Sequence, residues 1–315
     1  MLNIQQNIPL SSHTTFHIGG PAKYFVEVGD IEELQEALRY AQKNRLEFFI
    51  LGGGSNILVS DKGFDGIVIK NRISNHKTRA TKERIEVEIG SGLPLANVVK
   101  MTVTGGFTGL EWAAGIPGTL GGATRGNAGA FGGEMKDIIQ SVKVLKISAG
   151  AYAMEAYPAK DCQFKYRDSI FKRDEKLIIV STTIQLKAGD KERIQNRTQE
   201  IISARKKKQP IGIRCAGSFF KNPIVKNEKL IAEFEKEKGV KAKDEKLPAS
   251  WLIDLAGFRG KKIGDAKVSN ENANFIINTF KAKAEDVVIL SSFIKQQIRD
   301  KFGVQLKEEV QFIGF

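Results

Sequence analysis

Glycine is concentrated in a few stretches of this sequence, and these stretches constrain the fold more than any other feature. The chain has 31 glycines among 315 residues, with clusters at 52–54, 105–133 and 257–264. Glycine adopts positive φ without strain and lets a ligand or another backbone approach closely. The clusters lie between apolar runs, which favours loops at a ligand site over flexible linkers.

The segment 105–133 carries the strongest of these patterns. Pro117 and Gly118 predict a turn, and Gly121 and Gly122 predict the start of a helix whose N–H groups face a ligand. Asn127 and Gly129 add small groups beside it. Large apolar side chains are interspersed, which a flexible linker would lack: Trp112, Ile116, Leu120 and Phe131.

A second glycine motif follows directly after a predicted buried strand at 46–51. It consists of Gly52, Gly53, Gly54, Ser55 and Asn56. Such a turn allows backbone N–H groups to converge on an anion, for which a diphosphate is suited. It matches neither the dinucleotide fingerprint GxGxxG nor the P-loop. The alternative is a purely structural turn, and three consecutive glycines followed by Ser-Asn favour the ligand.

Hydrophobic periodicity predicts a mixture of helices and strands. The predicted helices are 30–45, capped by Asp30 with Glu33 at the capping-box position, 190–208, a helix after Pro248, and 285–302. The predicted strands are 46–51, 66–70, 84–89, 142–147 and 177–186. Gln209-Pro210 breaks the second helix and marks a domain boundary. We expect three domains, at 1–72, 73–207 and 208–315.

Composition excludes several classes of protein. No apolar run approaches the ~20 residues of a membrane span, and the first residues lack the pattern of a signal peptide. Two cysteines, Cys162 and Cys215, form no disulfide framework, and the three histidines are scattered, so we predict no metal site. A reducing cytoplasm is the expected compartment.

The charge is strongly basic but mixed with acidic residues. There are 49 Lys and Arg against 36 Asp and Glu, for a net charge of +13, and residues 206–315 hold 22 of the basic and 14 of the acidic residues. This balance suits an anionic small molecule as well as a nucleic acid. We predict no nucleic-acid partner, because the single tight run, 205–208, closes a predicted helix and stabilises its negative end.

Several motifs together resemble the UDP-N-acetylenolpyruvoylglucosamine reductase (MurB) family. AGIPGTLGGATRGNAGAFGGE and GGGSN are its two glycine motifs, and HTTFHIGGPA at 13–22 resembles its start. Later motifs follow in the right order: YRDSIF, GSFFKNP, NFIIN and LKEEVQFIG. The resemblance covers about residues 10–314. Two glycine motifs alone would indicate only the wider vanillyl-alcohol-oxidase-like superfamily.

The resemblance implies an α+β fold with a two-part FAD-binding module of the vanillyl-alcohol-oxidase/PCMH-like type, at 1–72 and 73–207. A C-terminal α+β substrate-binding domain would follow at 208–315. It also implies non-covalent FAD, NADPH as hydride donor, a UDP-sugar enolpyruvyl ether as substrate in peptidoglycan precursor synthesis, and a monomer. The implied FAD contacts are Gly52, Gly53, Gly54, Ser55, Asn56, Ile116, Pro117, Gly118, Gly121, Gly122, Asn127 and Gly129.

The same resemblance implies three catalytic residues. Arg167 in YRDS would stabilise charge on the substrate carboxylate. Ser218 in GSFF would donate a proton to carbon. Glu309, directly before Val310, would assist at the carboxylate, and its neighbour Glu308 matches a variable position.

Further residues are implied for substrate binding, each with a structural alternative. Lys221 and Asn222 would contact the diphosphate, although Asn222-Pro223 also fits a simple turn. Tyr166 would face substrate or flavin, or pack as an ordinary aromatic. Asn274 in NFIIN is also implied as a substrate-binding residue.

The sequence departs from the family pattern at a few positions. Residues 212–216 replace an expected Pro-Ser-type turn, and Lys267 and Asn272 stand where Gln and His are common. There is no room between Arg167 and Ser218 for the tyrosine-bearing insertion of type I members, so the chain resembles type II.

Two rival functions stay open at this point. Another FAD-dependent oxidoreductase of the same superfamily, acting on a sugar or alcohol, would share the glycine loops but not Ser218 and Glu309 in their motifs. A basic nucleotide- or nucleic-acid-binding protein without chemistry would leave both glycine loops and YRDS unexplained.

Overall fold

The computed structural model describes residues 2–81, 83–148, 150–209 and 212–315. The strands are, in chain order, β1 Gln5–Pro9, β2 Pro21–Val28, β3 Glu47–Leu51, β4 Ile57–Val59, β5 Phe64–Asn71, β6 His76–Ala80, β7 Arg84–Gly90, β8 Phe107–Thr108, β9 Gly129–Ala130, β10 Gly133–Glu134, β11 Ile139–Ser148, β12 Ala151–Pro158, β13 Leu177–Ala188, β14 Lys262–Ile263, β15 Ala266–Val268, β16 Ile276–Asn278 and β17 Gln311–Ile313.

The helices are α1 Ile31–Lys43, α2 Leu95–Thr104, α3 Leu120–Arg125, α4 Ile170–Arg173, α5 Lys191–Lys208, α6 Glu228–Lys238, α7 Ala249–Leu255 and α8 Ala284–Phe302. Helix α1 shows the predicted cap, since the Asp30 carboxylate accepts a 2.8 Å hydrogen bond from the Glu33 N–H. The Glu33 carboxylate in turn accepts from the Gly29 N–H at 2.6 Å. Two orphan donors at the helix start are thereby satisfied.

The chain divides into two compact units, each assembled from separate stretches of sequence. The first comprises Met1–Ile8, Ala22–Gly53 and Asp65–Lys206, and the second comprises Pro9–Pro21, Gly54–Phe64 and Lys207–Phe315. Pro210, at which a domain boundary was predicted, lies outside the described residues. The three-domain division stays a prediction.

The first unit contains two larger sheets, the two-stranded sheet β9-β10 and two hydrophobic cores. The two larger sheets differ in strand order. One sheet has the order β1-β2-β5-β3, and the other has the order β12-β11-β13-β7-β6 with β8 on β13. Helix α1 packs its apolar stripe, including Leu34 and Leu38, into the core beside the first sheet. Helices α2 and α3 contribute Val98 and Leu120 to the second core. The core beside the first sheet also includes Leu145, Ile178 and Val180, so it draws on both predicted FAD-binding parts.

The second unit is built around one apolar core. Helix α8 supplies its inward face at spacings of three and four, with Val287, Leu290, Ile294 and Ile298 all buried. The sheet β14-β15-β16 is antiparallel, and β17 pairs in parallel with β4. The β17–β4 pair joins the carboxyl-terminal segment to the residues that follow the first glycine motif.

The predicted helices and strands are present with small shifts at their ends, while several elements had no sequence prediction. The unpredicted ones include β2, β12, α2 and α6. Across the described residues, no helix combines the length and apolar character that crossing a membrane requires.

Candidate active site

The two glycine motifs meet in the first unit, backbone against backbone. A Cβ added to Gly53 would lie 2.5 Å from the Cα of Gly118, and one added to Gly52 would lie 2.7 Å from Thr119 Oγ1. Only glycine permits this approach. Gly53 and Pro117 are exposed, while Ile116 and Gly118 are half-buried. The accessible main chains of the two segments therefore lie next to each other, with no side chain between them.

The first N–H groups of α3 donate to other groups of the protein, whereas the sequence predicts that they face a ligand. The Gly121 N–H donates to the Ser91 carbonyl at 2.8 Å, and the Gly122 N–H donates to Thr119 Oγ1 at 3.3 Å. Thr119 is the N-cap of the helix. This role was not predicted, although a threonine directly before a helix start indicates it. These two amides serve the protein, and contact of Gly121 and Gly122 with FAD stays a prediction.

Tyr166 and Arg167 lie at the tip of a tight turn. Lys165 and Asp168 exchange backbone hydrogen bonds at 3.0 and 3.1 Å across it. Arg167 has φ of 55°, an uncommon conformation for a residue with a Cβ. Its Nη2 donates to the Gly129 carbonyl at 2.7 Å, and its guanidinium lies 5.3 Å from the centroid of the Tyr166 ring. The arginine is therefore held in a fixed direction beside the second glycine motif.

Asn127 is the buried residue that fixes this turn. Its amide nitrogen donates to the Lys165 carbonyl at 3.0 Å and to Glu134 Oε2 at 2.6 Å. Its amide oxygen accepts from the Lys136 N–H at 2.9 Å. Both ends of the side chain are occupied inside the protein. The structure gives Asn127 a positioning role toward Arg167, and its contact with FAD stays a prediction.

In the second unit, Ser218 and Glu309 lie on neighbouring segments. The Glu309 N–H donates to the Phe219 carbonyl at 2.8 Å, and the Lys221 N–H donates to the Lys307 carbonyl at 2.9 Å. These bonds join residues that are about ninety positions apart in sequence. Ser218 is half-buried, and its hydroxyl makes no hydrogen bond to any residue that the structure describes. Its role as a proton donor stays a prediction.

Asn274 clamps the Ser218 segment from the other side. Its amide oxygen accepts from the Phe220 N–H at 2.9 Å, and its amide nitrogen donates to the Phe220 carbonyl at 2.8 Å. Its backbone carbonyl accepts from the Phe219 N–H at 2.7 Å. Asn274 is 5% exposed. The side-chain amide thus holds the segment that carries Ser218, and contact of Asn274 with substrate stays a prediction.

Asn56 also belongs to this arrangement. Its amide nitrogen donates to the Glu309 carbonyl at 3.1 Å, and its carbonyl accepts from the Gln311 N–H at 3.0 Å. The first glycine motif is therefore tied through Asn56 to the segment that carries Glu309, a link that the sequence did not reveal. Gly54 lies in the same unit with φ of 63°, and a Cβ there would lie 2.1 Å from the His13 carbonyl oxygen. Ser55 is half-buried.

The two adjacent glutamates make different interactions. Glu308 Oε1 lies 2.6 Å from Lys295 Nζ on α8, so its carboxylate is paired on the helix side. Glu309 is fixed through its backbone to Phe219 and Asn56. That only Glu309 of the two serves the reaction stays a prediction.

Asn222, which is predicted to contact the substrate, makes a hydrogen bond within the protein. Its side-chain oxygen accepts from the N–H of Ala249, the first residue of α7, at 3.0 Å. Lys221 is half-buried, beside the backbone bond to Lys307. Substrate contact by both residues stays a prediction.

The cysteines are poorly suited to chemistry. Burial raises the pKa of the Cys162 thiol to about 12, and burial also raises the pKa of Cys215. A thiolate is the reactive form of cysteine, so both are inert near neutral pH. Within the described parts of the chain, no three His, Cys, Asp or Glu side chains are grouped as metal ligands.

Comparison with known proteins identifies the family. A model of the UDP-N-acetylenolpyruvoylglucosamine reductase C-terminal domain matches residues 209–313, and a model of an FAD binding domain matches residues 22–152. The UDP-N-acetylenolpyruvoylglucosamine reductase of Carboxydothermus hydrogenoformans is 39% identical over 99% of this chain and 94% of its own length. The chain belongs to the UDP-N-acetylenolpyruvoylglucosamine reductase family. It is an oxidoreductase of the flavoprotein class, as predicted.

Solved structures agree with this assignment. The crystal structure of MurB from Thermus caldophilus superposes with a TM-score of 0.77 at 30% identity, covering 99% of this chain and 100% of that one. A VAO-type flavoprotein from Myceliophthora thermophila, at 10% identity, gives a TM-score of 0.51 over 89% of this chain and 70% of that one, a likeness of fold alone. The predicted fold class, an FAD-binding module of this type with a C-terminal domain, is confirmed.

Proposed function

We propose that the chain catalyses the NADPH-dependent reduction of UDP-N-acetylglucosamine enolpyruvate to UDP-N-acetylmuramate, using non-covalently bound FAD. The observation that carries the proposal is the pairing of the Ser218 and Glu309 segments. A 2.8 Å backbone bond from Glu309 to Phe219 sets the two family motifs side by side, which a different flavoenzyme of the superfamily would not require. Membership of the family supports the same reaction.

The described residues fit an FAD site. The close backbone contact of Gly53 with Gly118 leaves main chain at the surface where a diphosphate would need N–H donors. Pro117 and Ile116 extend this edge and would lie along the cofactor. When bound, FAD would accept a hydride from NADPH and supply it to the terminal carbon of the enolpyruvyl group. A covalent tether through Cys162 is disfavoured, because its thiol is buried and protonated.

Each proposed catalytic residue has a distinct task on the substrate. Hydride addition to the enol ether places negative charge on the conjugated carboxylate, and the fixed guanidinium of Arg167 would stabilise that charge where it develops. Ser218 would give its hydroxyl proton to the adjacent carbon. Glu309 would assist at the carboxylate as a hydrogen-bond donor, which requires its protonated form. Lys221 and Asn222 would hold the diphosphate, with Tyr166 beside the reacting groups.

Three further features complete the proposal. We assign residues 1–72 and 73–207 to FAD binding and 208–315 to substrate binding; this is supported by the matches of an FAD binding domain to residues 22–152 and of the reductase C-terminal domain to residues 209–313. We expect a monomer, with a small-molecule substrate, no nucleic-acid partner and no membrane association. The cytoplasm, which supplies NADPH and nucleotide sugars, is the proposed compartment.

Rapid mixing with the flavin absorbance as signal tests the proposal. NADPH should bleach the flavin, and the enolpyruvyl substrate should restore its colour in the absence of oxygen. Acid precipitation should release the flavin into the supernatant. Bleaching of the flavin by a simple sugar or alcohol in the absence of NADPH, with no return of colour on addition of the enolpyruvyl substrate, would favour the rival flavoenzyme. Colour retained in the pellet would show a covalent tether.

A further inference from the structure

A basic cavity lies in the second unit, formed by residues to which the proposed reaction gives no role; three of them, 17–19, belong to the motif at 13–22. Its volume is about 450 Å³, within the roughly 300–1,000 Å³ of small-molecule sites. Its wall is Ser11, Ser12, His17, Ile18, Gly19, Arg214, Phe280, Lys281 and Ala282. Two permanent cations and a histidine face it, and none of the described residues in the wall is acidic.

A single buried side chain assembles this wall. Asn278 is 4% exposed, and its amide nitrogen donates to the carbonyls of Phe16 at 3.1 Å and His17 at 3.5 Å. Its amide oxygen accepts from the N–H groups of Phe280 at 3.2 Å and Ala282 at 3.0 Å. Its own N–H donates to the Arg214 carbonyl at 2.8 Å. Asn278 therefore holds together the three segments that carry His17, Arg214 and Lys281.

The cationic groups are individually directed as well. Arg214 Nη1 donates to the Phe280 carbonyl at 3.1 Å, which fixes the guanidinium on the wall and leaves its other N–H groups for a ligand. His17 is held with φ of 53°, an uncommon conformation that the Asn278 amide stabilises. The neighbouring carboxylate, Asp265, accepts the backbone N–H of Lys281 at 3.2 Å and lies outside the wall.

We propose that this cavity binds a small phosphate-type oxyanion. Guanidinium and ammonium groups with nearby serine hydroxyls are the donors that phosphate oxygens require, and arginine binds them in a bidentate manner. Arg214 lies in the run 212–216, where the sequence departs from its family pattern. The proposed site would be separate from the site of the substrate's own diphosphate.

Calorimetric titration of the holoenzyme with inorganic pyrophosphate at fixed ionic strength tests this site. Arg214→Gln and Lys281→Gln should each weaken binding about tenfold or more, as expected for a charged hydrogen bond. Lys226→Gln is the matched control, because Lys226 is exposed in the same unit and lies outside the wall, and it should bind as the parent protein does. Steady-state turnover verifies that all three variants are folded.

A second titration separates a free anion from the diphosphate of the substrate. With uridine diphosphate at saturation, pyrophosphate should still bind with unchanged affinity and one site per chain. Loss of pyrophosphate binding under that condition would assign the anion to the substrate site and overturn the proposal. Equal affinity in all three variants, or no measurable binding in the parent, would overturn it as well.

Discussion

Replacement of Asn274 by alanine tests whether this residue clamps the catalytic segment or binds substrate. The variant removes both ends of the amide from Phe220, whose N–H and carbonyl it holds at 2.9 and 2.8 Å. Phe220 is only 1% exposed, so both backbone groups lose their partners in the interior. A buried, unsatisfied polar group costs about 1–3 kcal/mol, which predicts a loss of roughly 2–6 kcal/mol in the free energy of unfolding.

Urea unfolding followed by tryptophan fluorescence measures this loss, because Trp251 lies in the core of the same unit. Asn270→Ala is the matched control: Asn270 is exposed nearby, and its replacement should change the free energy of unfolding by less than about 0.5 kcal/mol. Asn274→Asp retains the acceptor for the Phe220 N–H but places a buried carboxylate oxygen against the Phe220 carbonyl oxygen, so it should lose at least as much as the alanine variant. A change within 0.5 kcal/mol for Asn274→Ala, together with a raised KM and unchanged kcat, would refute the clamp and restore the substrate contact.

Other variants separate the remaining assignments. Ser218→Ala should leave flavin reduction by NADPH intact and slow reoxidation by substrate by about 10²–10⁴, as followed by stopped-flow absorbance; equal slowing of both steps would contradict a proton donor. Glu309→Gln should lower turnover strongly at unchanged flavin content. Glu308→Gln should leave turnover unchanged, because it loses only the ion pair with Lys295, which contributes about 0–1 kcal/mol to the free energy of unfolding. The reverse pattern in NADPH-oxidation assays would exchange the two roles. Gly53→Ala places a Cβ 2.5 Å from the Gly118 backbone. Thermal unfolding should show about 1–3 kcal/mol of destabilisation, and flavin titration should show weaker FAD binding. Unchanged stability and unchanged FAD affinity would argue against the glycine contact.

The sequence was sufficient where the determinants are local. Asp30 and Glu33 form the predicted cap, and the periodic runs form α1, α5 and α8. The assembly of the units was not predictable in this way, because the parallel pairing of β17 with β4 joins residues about 250 positions apart. No local pattern encodes such a contact.

The same reason explains the asparagines. Asn127 and Asn274 were assigned to ligands, yet each is buried with its amide engaged by backbone groups from distant segments. An asparagine that faces a ligand and one that clamps a loop have the same chemistry, and only the fold distinguishes them. Motif spacing predicts which segments carry the site, whereas the division between residues that contact ligands and residues that position them depends on the three-dimensional contacts.

Substrate-dependent oxidation of NADPH by the purified holoenzyme tests the central claim most directly. NADPH consumption should be slow without UDP-N-acetylglucosamine enolpyruvate and fast with it, with one UDP-N-acetylmuramate formed per NADPH oxidised, as measured by mass spectrometry of the product. NADPH oxidation that is unaffected by this substrate, or that yields no UDP-N-acetylmuramate, would contradict the proposed function.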